Sequence, residues 1–239
     1  MRLFVVLLAA SSLSACGAAN DTSTGTRTFP VPGSFDEVTL GGPDNVRVVT
    51  GGTPSIVATG RNSDLDKIEV ELRGSELVVT REGGGKIKLF SWNESSKDVV
   101  VTVTVAQPVG ALNLKGSGDL TADQGGGDSF TADLKGSGDL TVGKIMTKTA
   151  HLTLAGSGDL KAGGQASGVE AELAGSGGID AVGLMAETAT VNLRGSGDVA
   201  VRATKSADVA IRGSGNVRVK GTTNCKTEKH GSGDIRCEP

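Results

Sequence analysis

Between residues 109 and 239 the apolar residues alternate with polar ones on both sides of a recurring Gly-Ser-Gly triplet. Two residues before the triplet stand Leu114, Leu134, Leu154, Leu173, Leu193 and Ile211, and four before it Leu112, Ala132, Leu152, Ala171, Val191 and Val209. Four residues after its first glycine come Leu120, Leu140, Leu160, Ile179, Val199, Val217 and Ile235. Six after it come Ala122, Val142, Ala162, Ala181, Val201 and Val219. A spacing of two is a strand period, with one face of each strand apolar. Each unit therefore reads as strand, bend, strand and a looser return such as "GKIMTK" or "GGQASG".

The triplets begin at Gly116, Gly136, Gly156, Gly175, Gly195, Gly213 and Gly231, in steps of 20, 20, 19, 20, 18 and 18 residues. A period near twenty marks one supersecondary coil that cannot bury its apolar face alone and must stack on its neighbours. The expected fold is all-β, a single-stranded parallel β-helix (solenoid). An up-and-down barrel also uses short strands, but it gives no reason for identical bends at one phase of a repeat.

Residues 29–108 are irregular but share the flavour. "VTLGGPDNVRVVTG" reads as a degenerate coil, with Gly41 and Gly42 before the bend and Val46 and Val48 after it. "IEVELRGSELVVTRE" alternates on both sides of Arg73–Glu76 and predicts an antiparallel hairpin. "DVVVTVTVA" predicts a strand leading into the first full repeat. This portion is expected to begin the helix and cover its open edge, because uncovered coils invite end-to-end pairing.

Composition supports a thin, elongated core: 37 glycines but only 5 Phe, one Trp and no Tyr in 239 residues leave little to fill a globular centre. The net charge of −3, scattered in sign, offers no basic stripe for nucleic acid. The start, "MRLFVVLLAASSLSAC", has Arg2, a short apolar run and small residues before Cys16, which is the pattern of a secretory signal. Leu13-Ser14-Ala15-Cys16 resembles a lipobox, so residues 1–15 read as a lipoprotein signal peptide and Cys16 as the lipidated mature N-terminus. An ordinary cleaved signal is the alternative. Residues 16–28 read as a flexible tether, and Gly17 after the cysteine is similar to the enterobacterial signal for the outer membrane. The expected location is outside the cytoplasm, on either face of that membrane.

Cys225 lies six residues before Gly231 and Cys237 six after it, both at inward phases. In an exported chain this pairing predicts a disulfide. The last coil would have to draw in, since opposed sheets stand about 10 Å apart and a bridge needs Cα atoms within about 7 Å.

The GSGD bends in phase, "VVVTVTVAQPVGALNLKGSGDLTA", "FDEVTLGGPDNVRVVTG" and the lipoprotein-like start together resemble the bacterial family named putative auto-transporter adhesin, head GIN domain. The resemblance covers roughly residues 30–235. It implies a parallel β-helix without a recognised catalytic set and, by architecture, an adhesion role.

Stacked bends would align Ser117, Ser137, Ser157, Ser176, Ser196, Ser214 and Ser232 in one column. Beside it would run Asp119, Asp139, Asp159, Asp198 and Asp234, interrupted by Gly178 and Asn216. Two readings stand: the side chains accept hydrogen bonds from backbone N–H groups of the turns, or the aligned carboxylates also hold a weakly bound divalent cation such as Ca2+. No metal set is firmly indicated, and no cofactor.

His151 and His230 fall in different coils, and one acid per coil is not the local cluster that hydrolysis needs. The expectation is therefore not an enzyme; a carbohydrate-active β-helix is the alternative, and a purely structural envelope protein a third reading. Phe90 and Trp92, in "KIKLFSWNESS", either pack over the first coil or form a contact patch for a glycan or a cell-surface protein. The expected function is a lipid-anchored, non-catalytic adhesion or binding scaffold.

Overall fold

The computed structural model describes residues 23–82 and 99–239. The repeat region is a parallel β-helix. Strands β8 (Ala111–Gly116), β9 (Leu120–Gly126) and β10 (Ser129–Gly136) open it, where β1–β7 denote the strands before Ala111. Long strands β11 (Leu140–Gly156), β12 (Asp159–Gly175), β13 (Gly178–Gly195) and β14 (Asp198–Gly213) then each run from one bend to the next. The chain ends on β15 (Asn216–Lys220), β16 (Cys225–His230) and β17 (Ile235–Glu238). The inward leucines stack in register, Leu114 against Leu134, then Leu154, Leu173, Leu193 and Ile211. All six are buried, as are Leu120, Leu140, Leu160, Ile179, Val199 and Val217. Among the described residues Phe130 is the one fully buried aromatic, and it fits because Gly125 has no side chain: a Cβ there would lie 2.3 Å from the ring.

The irregular portion supplies β1 (Thr24–Phe29), β2 (Glu37–Gly42), β3 (Asn45–Thr50), β4 (Ser55–Arg61), the short helix α1 (Asn62–Leu65), β5 (Ile68–Arg73), β6 (Glu76–Arg81) and β7 (Val100–Val105). The degenerate coil is β2–β3, and the hairpin is β5–β6, paired antiparallel. One expectation changes. The tether predicted over 16–28 is already strand from Thr24, because β1 finds an antiparallel partner in β4. Strand β7 leads along the chain into β8, as expected, but is not stacked on it: β2 is paired with β6 on one side and β8 on the other, and β3 with β7 and β9. The coil made by β6 and β7 is thus outermost, and the chain passes over β2–β3 to continue as β8.

This order ends the parallel stack in antiparallel strands, β5 against β6 on one face and β4 then β1 against β7 on the other. Strands β1 and β5 therefore lie beyond the last parallel coil.

The outer coil is pinned by a buried charge cluster. Arg81, at the end of β6, donates through Nε to Asp44 Oδ2 at 2.8 Å and through Nη1 to Asp64 Oδ1 at 3.0 Å, and its Nη2 also meets Asp44. Asp44 sits in the β2–β3 bend and Asp64 in α1, so one guanidinium joins three segments. The hydrogen bonds that Arg81 donates to Asp44 hold it above its ordinary pKa, outweighing the opposite effect of burial. At the other end the inward phases turn polar, Thr227 stacking on Val209 and Lys229 on Ile211. There Cys225 and Cys237 are bridged, with Cα atoms 6.6 Å apart, inside the limit of about 7 Å.

Replacing Arg81 with Met strands the Asp44 carboxylate, whose side chain is 3% exposed. Loss of one partner of such a pair costs about 3–5 kcal/mol, which denaturant unfolding of the variant should register. Reducing the Cys225–Cys237 bridge should cost roughly 3 kcal/mol; intact mass after alkylation, with and without reductant, checks that the thiols are bridged in the purified protein.

Candidate functional site: the bend column and its groove

The GSGD bends stack so closely that their outer glycines tolerate no side chain. A Cβ on Gly138 would stand 1.9 Å from the carbonyl oxygen of Gly118, and one on Gly158 at the same distance from that of Gly138. From Ser117 to Ser214 the serine N–H of each coil donates to the first glycine of the coil stacked before it, as from Ser157 to Gly136 O at 3.0 Å and from Ser214 to Gly195 O at 2.9 Å. The serine side chains are exposed.

The aspartates do accept backbone hydrogen bonds, but from the next coil rather than from their own turn. Asp139 N–H donates to Asp119 Oδ1 at 3.2 Å, Asp159 N–H to Asp139 Oδ1 at 3.1 Å and Gly178 N–H to Asp159 Oδ1 at 3.1 Å. Asn216 takes the same place, receiving Asp234 N–H at 3.2 Å while its own N–H goes to Asp198 Oδ1 at 3.1 Å. These donors offset the repulsion between carboxylates one coil apart. The ladder begins one coil earlier than the GSGD motif shows, at Asn45, whose Oδ1 receives Asp119 N–H at 3.0 Å. The signal was present in "GGPDN", where Asn45 lies three residues after Gly42 as Asp119 does after Gly116.

The ladder fails once. Gly178 has no carboxylate, and Asp198 N–H keeps only a bond to Gly177 O at 3.2 Å, of the kind that Gly178 N–H makes to Gly158 O beside its ladder bond to Asp159. Beside this gap a groove of about 490 Å3 runs across the coils from Asp159 to Arg236. Small residues form part of it, Gly178 on the bend column and Ala200 on the next outward column. Four carboxylates line it, Asp159, Asp180, Asp198 and Asp234, with three cations, Lys161, Arg218 and Arg236. Among the described residues no three His, Cys, Asp or Glu side chains converge as a metal site.

The remaining candidates are dispersed. His151 Nδ1 lies 2.9 Å from Glu170 and His230 Nε2 lies 3.0 Å from Glu228, each pair on the surface. Met146 and Met185 are the exposed apolar side chains on the coils, 50% and 45% exposed, aligned on either side of Gln165. Cys16, Phe90 and Trp92 lie outside the described residues. Residues 83–98 are inserted between β6 and β7 where the β2–β3 coil has only Pro43 and Asp44. Among the described residues no helix is long and apolar enough to cross a membrane.

The model of the family described as putative auto-transporter adhesin, head GIN domain, matches residues 34–223. The chain belongs to this family. The fold is also that of solved bacterial structures. A Bacteroides fragilis protein described as a putative adhesin superposes with a TM-score of 0.80 at 24% identity, over 90% of this chain and 97% of that one. A Parabacteroides distasonis protein described as a putative lipid binding protein gives 0.69 at 22% identity, over 90% and 96%. A putative adhesin from Parabacteroides merdae gives 0.65 at 18% identity, over 90% and 95%. Likenesses at these identities speak for the fold alone. The chain matches no curated protein significantly.

The ladder predicts a distinction between two changes at one residue. Asp139→Asn keeps an acceptor, as Asn45 and Asn216 do, and should leave the melting temperature within about a degree. Asp139→Ala strands the N–H of Asp159 and should cost about 0.5–1.5 kcal/mol in denaturant unfolding.

Proposed function

We propose that the chain is an exported, lipid-anchored envelope protein whose rod serves adhesion as a non-catalytic binding scaffold. Membership of an adhesin family supports an envelope or surface role. The observation that carries the scaffold reading is the distribution of chemistry along the rod. The acids of the bend column come at most one per coil, and Asp119, Asp139, Asp159 and Asp198 each have an oxygen engaged by the next coil's backbone, so the column repeats polar groups along a line instead of focusing them on one reacting atom.

Cys16 is the proposed attachment point. Several acyl chains on one residue would anchor it stably, each buried methylene contributing about 0.8 kcal/mol. The outer membrane is the proposed destination. A glycan or cell-surface protein is the proposed partner, with Phe90 and Trp92 as proposed contacts. The description of the Parabacteroides distasonis protein as lipid binding is compatible with contact to an envelope lipid, though its likeness reaches only the fold.

Anchoring is tested by metabolic labelling with an alkyne fatty acid. Label should enter the wild-type chain and be absent from Cys16→Ser, which should move to the soluble fraction; equal labelling of both excludes Cys16 as the acylated residue. Scaffold function is tested by attachment of cells expressing the chain to immobilised matrix and glycans, after protease shaving shows whether it is surface-exposed. Trp92→Ala should lower attachment several-fold with an unchanged melting temperature. Turnover of a polysaccharide by the purified protein would replace the scaffold reading with the enzymatic one.

A further inference from the structure

We infer that the C-terminal end of the rod docks on an anionic lipid surface, met end-on by cations gathered in the last coils. This rests on the binding-scaffold reading and names one partner's chemistry and the part of the rod that meets it.

Charge is segregated along the stack, which the overall net charge of −3 hides. Residues 111–193 carry five Lys and Arg against ten Asp and Glu, a net −5, whereas residues 194–239 carry nine against five, a net +4. The positive end is also the far end. One sheet runs from β5 through β6, β2, β8 and β10–β14 to β16, and the other from β1 to β17. Nine strand steps of about 4.8 Å put β16 about 43 Å from β5. A chain held at Cys16, ahead of β1, can therefore present its basic end to a facing surface.

Most of these cations are not neutralised within the fold. Lys205 pairs with Glu187 and Arg236 with Asp234, and in register Lys226 lies opposite Asp208 and Lys220 opposite Glu238. Arg194, Arg202, Arg212, Arg218 and Lys229 have neither an ion pair nor an acid opposite them among the described residues. Several stand instead beside one another, Arg194 next to Arg212, Arg202 next to Lys220 and Arg218 next to Arg236. Like charges directly opposite on adjacent strands are unfavourable. An anion shared by such a pair removes the repulsion, and a guanidinium takes phosphate through two parallel hydrogen bonds. The acids of this end are mostly engaged already: Asp198 accepts from Asn216, Glu228 lies 3.0 Å from His230, and Asp234 meets Arg236.

The placement of the cations selects the partner. Arg194 and Arg212 stand just before the bend, Arg218 and Arg236 five residues after its first glycine, and Arg202 and Lys220 seven after it. Lys229 occupies an inward phase of the last coil and is exposed at its open end. Cations spread around the end of a rod cannot all follow one extended polymer chain. A surface crowded with phosphates meets them together when the rod stands on it. Attraction of this kind needs no fitted pocket and acts within a Debye length of the headgroups.

The acidic part of the rod supplies the control, because Lys115 and Lys135 form an equivalent side-by-side pair on β8 and β10. Cosedimentation of the full chain carrying Cys16→Ser, so that no acyl anchor contributes, reads binding to vesicles of mixed phosphatidylglycerol and phosphatidylcholine and to vesicles of phosphatidylcholine alone. Expected are binding to the anionic vesicles at least tenfold tighter than to the neutral ones, and weakening as salt is raised. Each cation removed should weaken binding roughly fivefold, so Arg212→Gln with Arg218→Gln should lose at least tenfold. Their melting temperature should not fall, since each removes a like-charged neighbour. Lys115→Gln with Lys135→Gln should bind as the parent does, and heparin, a soluble polyanion, should bind more weakly than the vesicles. Equal binding to neutral vesicles, undiminished binding by the arginine variant, an equal loss in the lysine variant, or tighter binding of heparin would each overturn the assignment. Cells expressing the arginine variant separate this result from the broader reading: full attachment discards the basic end and leaves the scaffold, whereas no attachment even by the wild-type chain discards both.

Discussion

Everything in this rod depends on how closely one coil's bend can rest on the next. The serine N–H to glycine carbonyl bonds at about the same 3 Å length on successive coils bring backbones together where any Cβ would overlap a carbonyl oxygen. Glycine at the outer positions of the triplet is therefore a steric requirement before it is a conformational one. Once the bends are stacked, the flanking strands have no freedom of register, and the inward leucines must fall one above another. The buried apolar column follows from the corner and in turn stabilises it.

Such an architecture has no natural end, and the two ends are closed by different physics. At the outer end the chain leaves the parallel order and lays antiparallel strands on both faces, then ties the last coil down through Arg81. A buried guanidinium shared by two carboxylates adds little net stability over an apolar substitute, but it can be satisfied in only one arrangement of β6, the β2–β3 bend and α1. At the far end the apolar phases are abandoned for Thr227 and Lys229, and the Cys225–Cys237 bridge replaces the packing that a further coil would have supplied. A charge at an inward phase also discourages another copy from stacking there.

The period-two alternation made the coils legible residue by residue, because a strand buried on one face has one apolar phase and the triplet marks that phase repeatedly. The order of the outer coils was not legible. Alternation reports which side of a strand is buried and carries no information on which coil lies above it, so nothing in the pattern shows that β2 and β3 stack between the β6–β7 coil and the first full repeat. Asn45 escaped for a related reason: its bend has Pro43 and Asp44 where the repeat has Ser and Gly, and only the spacing survives. The direction of the aspartate bonds could not be read either, since a carboxylate three residues past a glycine can reach its own turn or the next coil, and stacking distance decides between them.

In a column the ordinary residues serve the stack, so the departures from the rule are where another role has room. Asn216 departs in charge but keeps the acceptor, and the ladder passes through it unchanged. Gly178 departs in having no side-chain acceptor at all, so the Asp198 N–H donates to Gly177 O alone and a groove lies where a carboxylate would stand. The two substitutions occupy the same position in the repeat and differ only in whether they fill it. A surface built from one repeated corner acquires a distinct place by omission, with the backbone beneath it held as firmly as anywhere else in the rod.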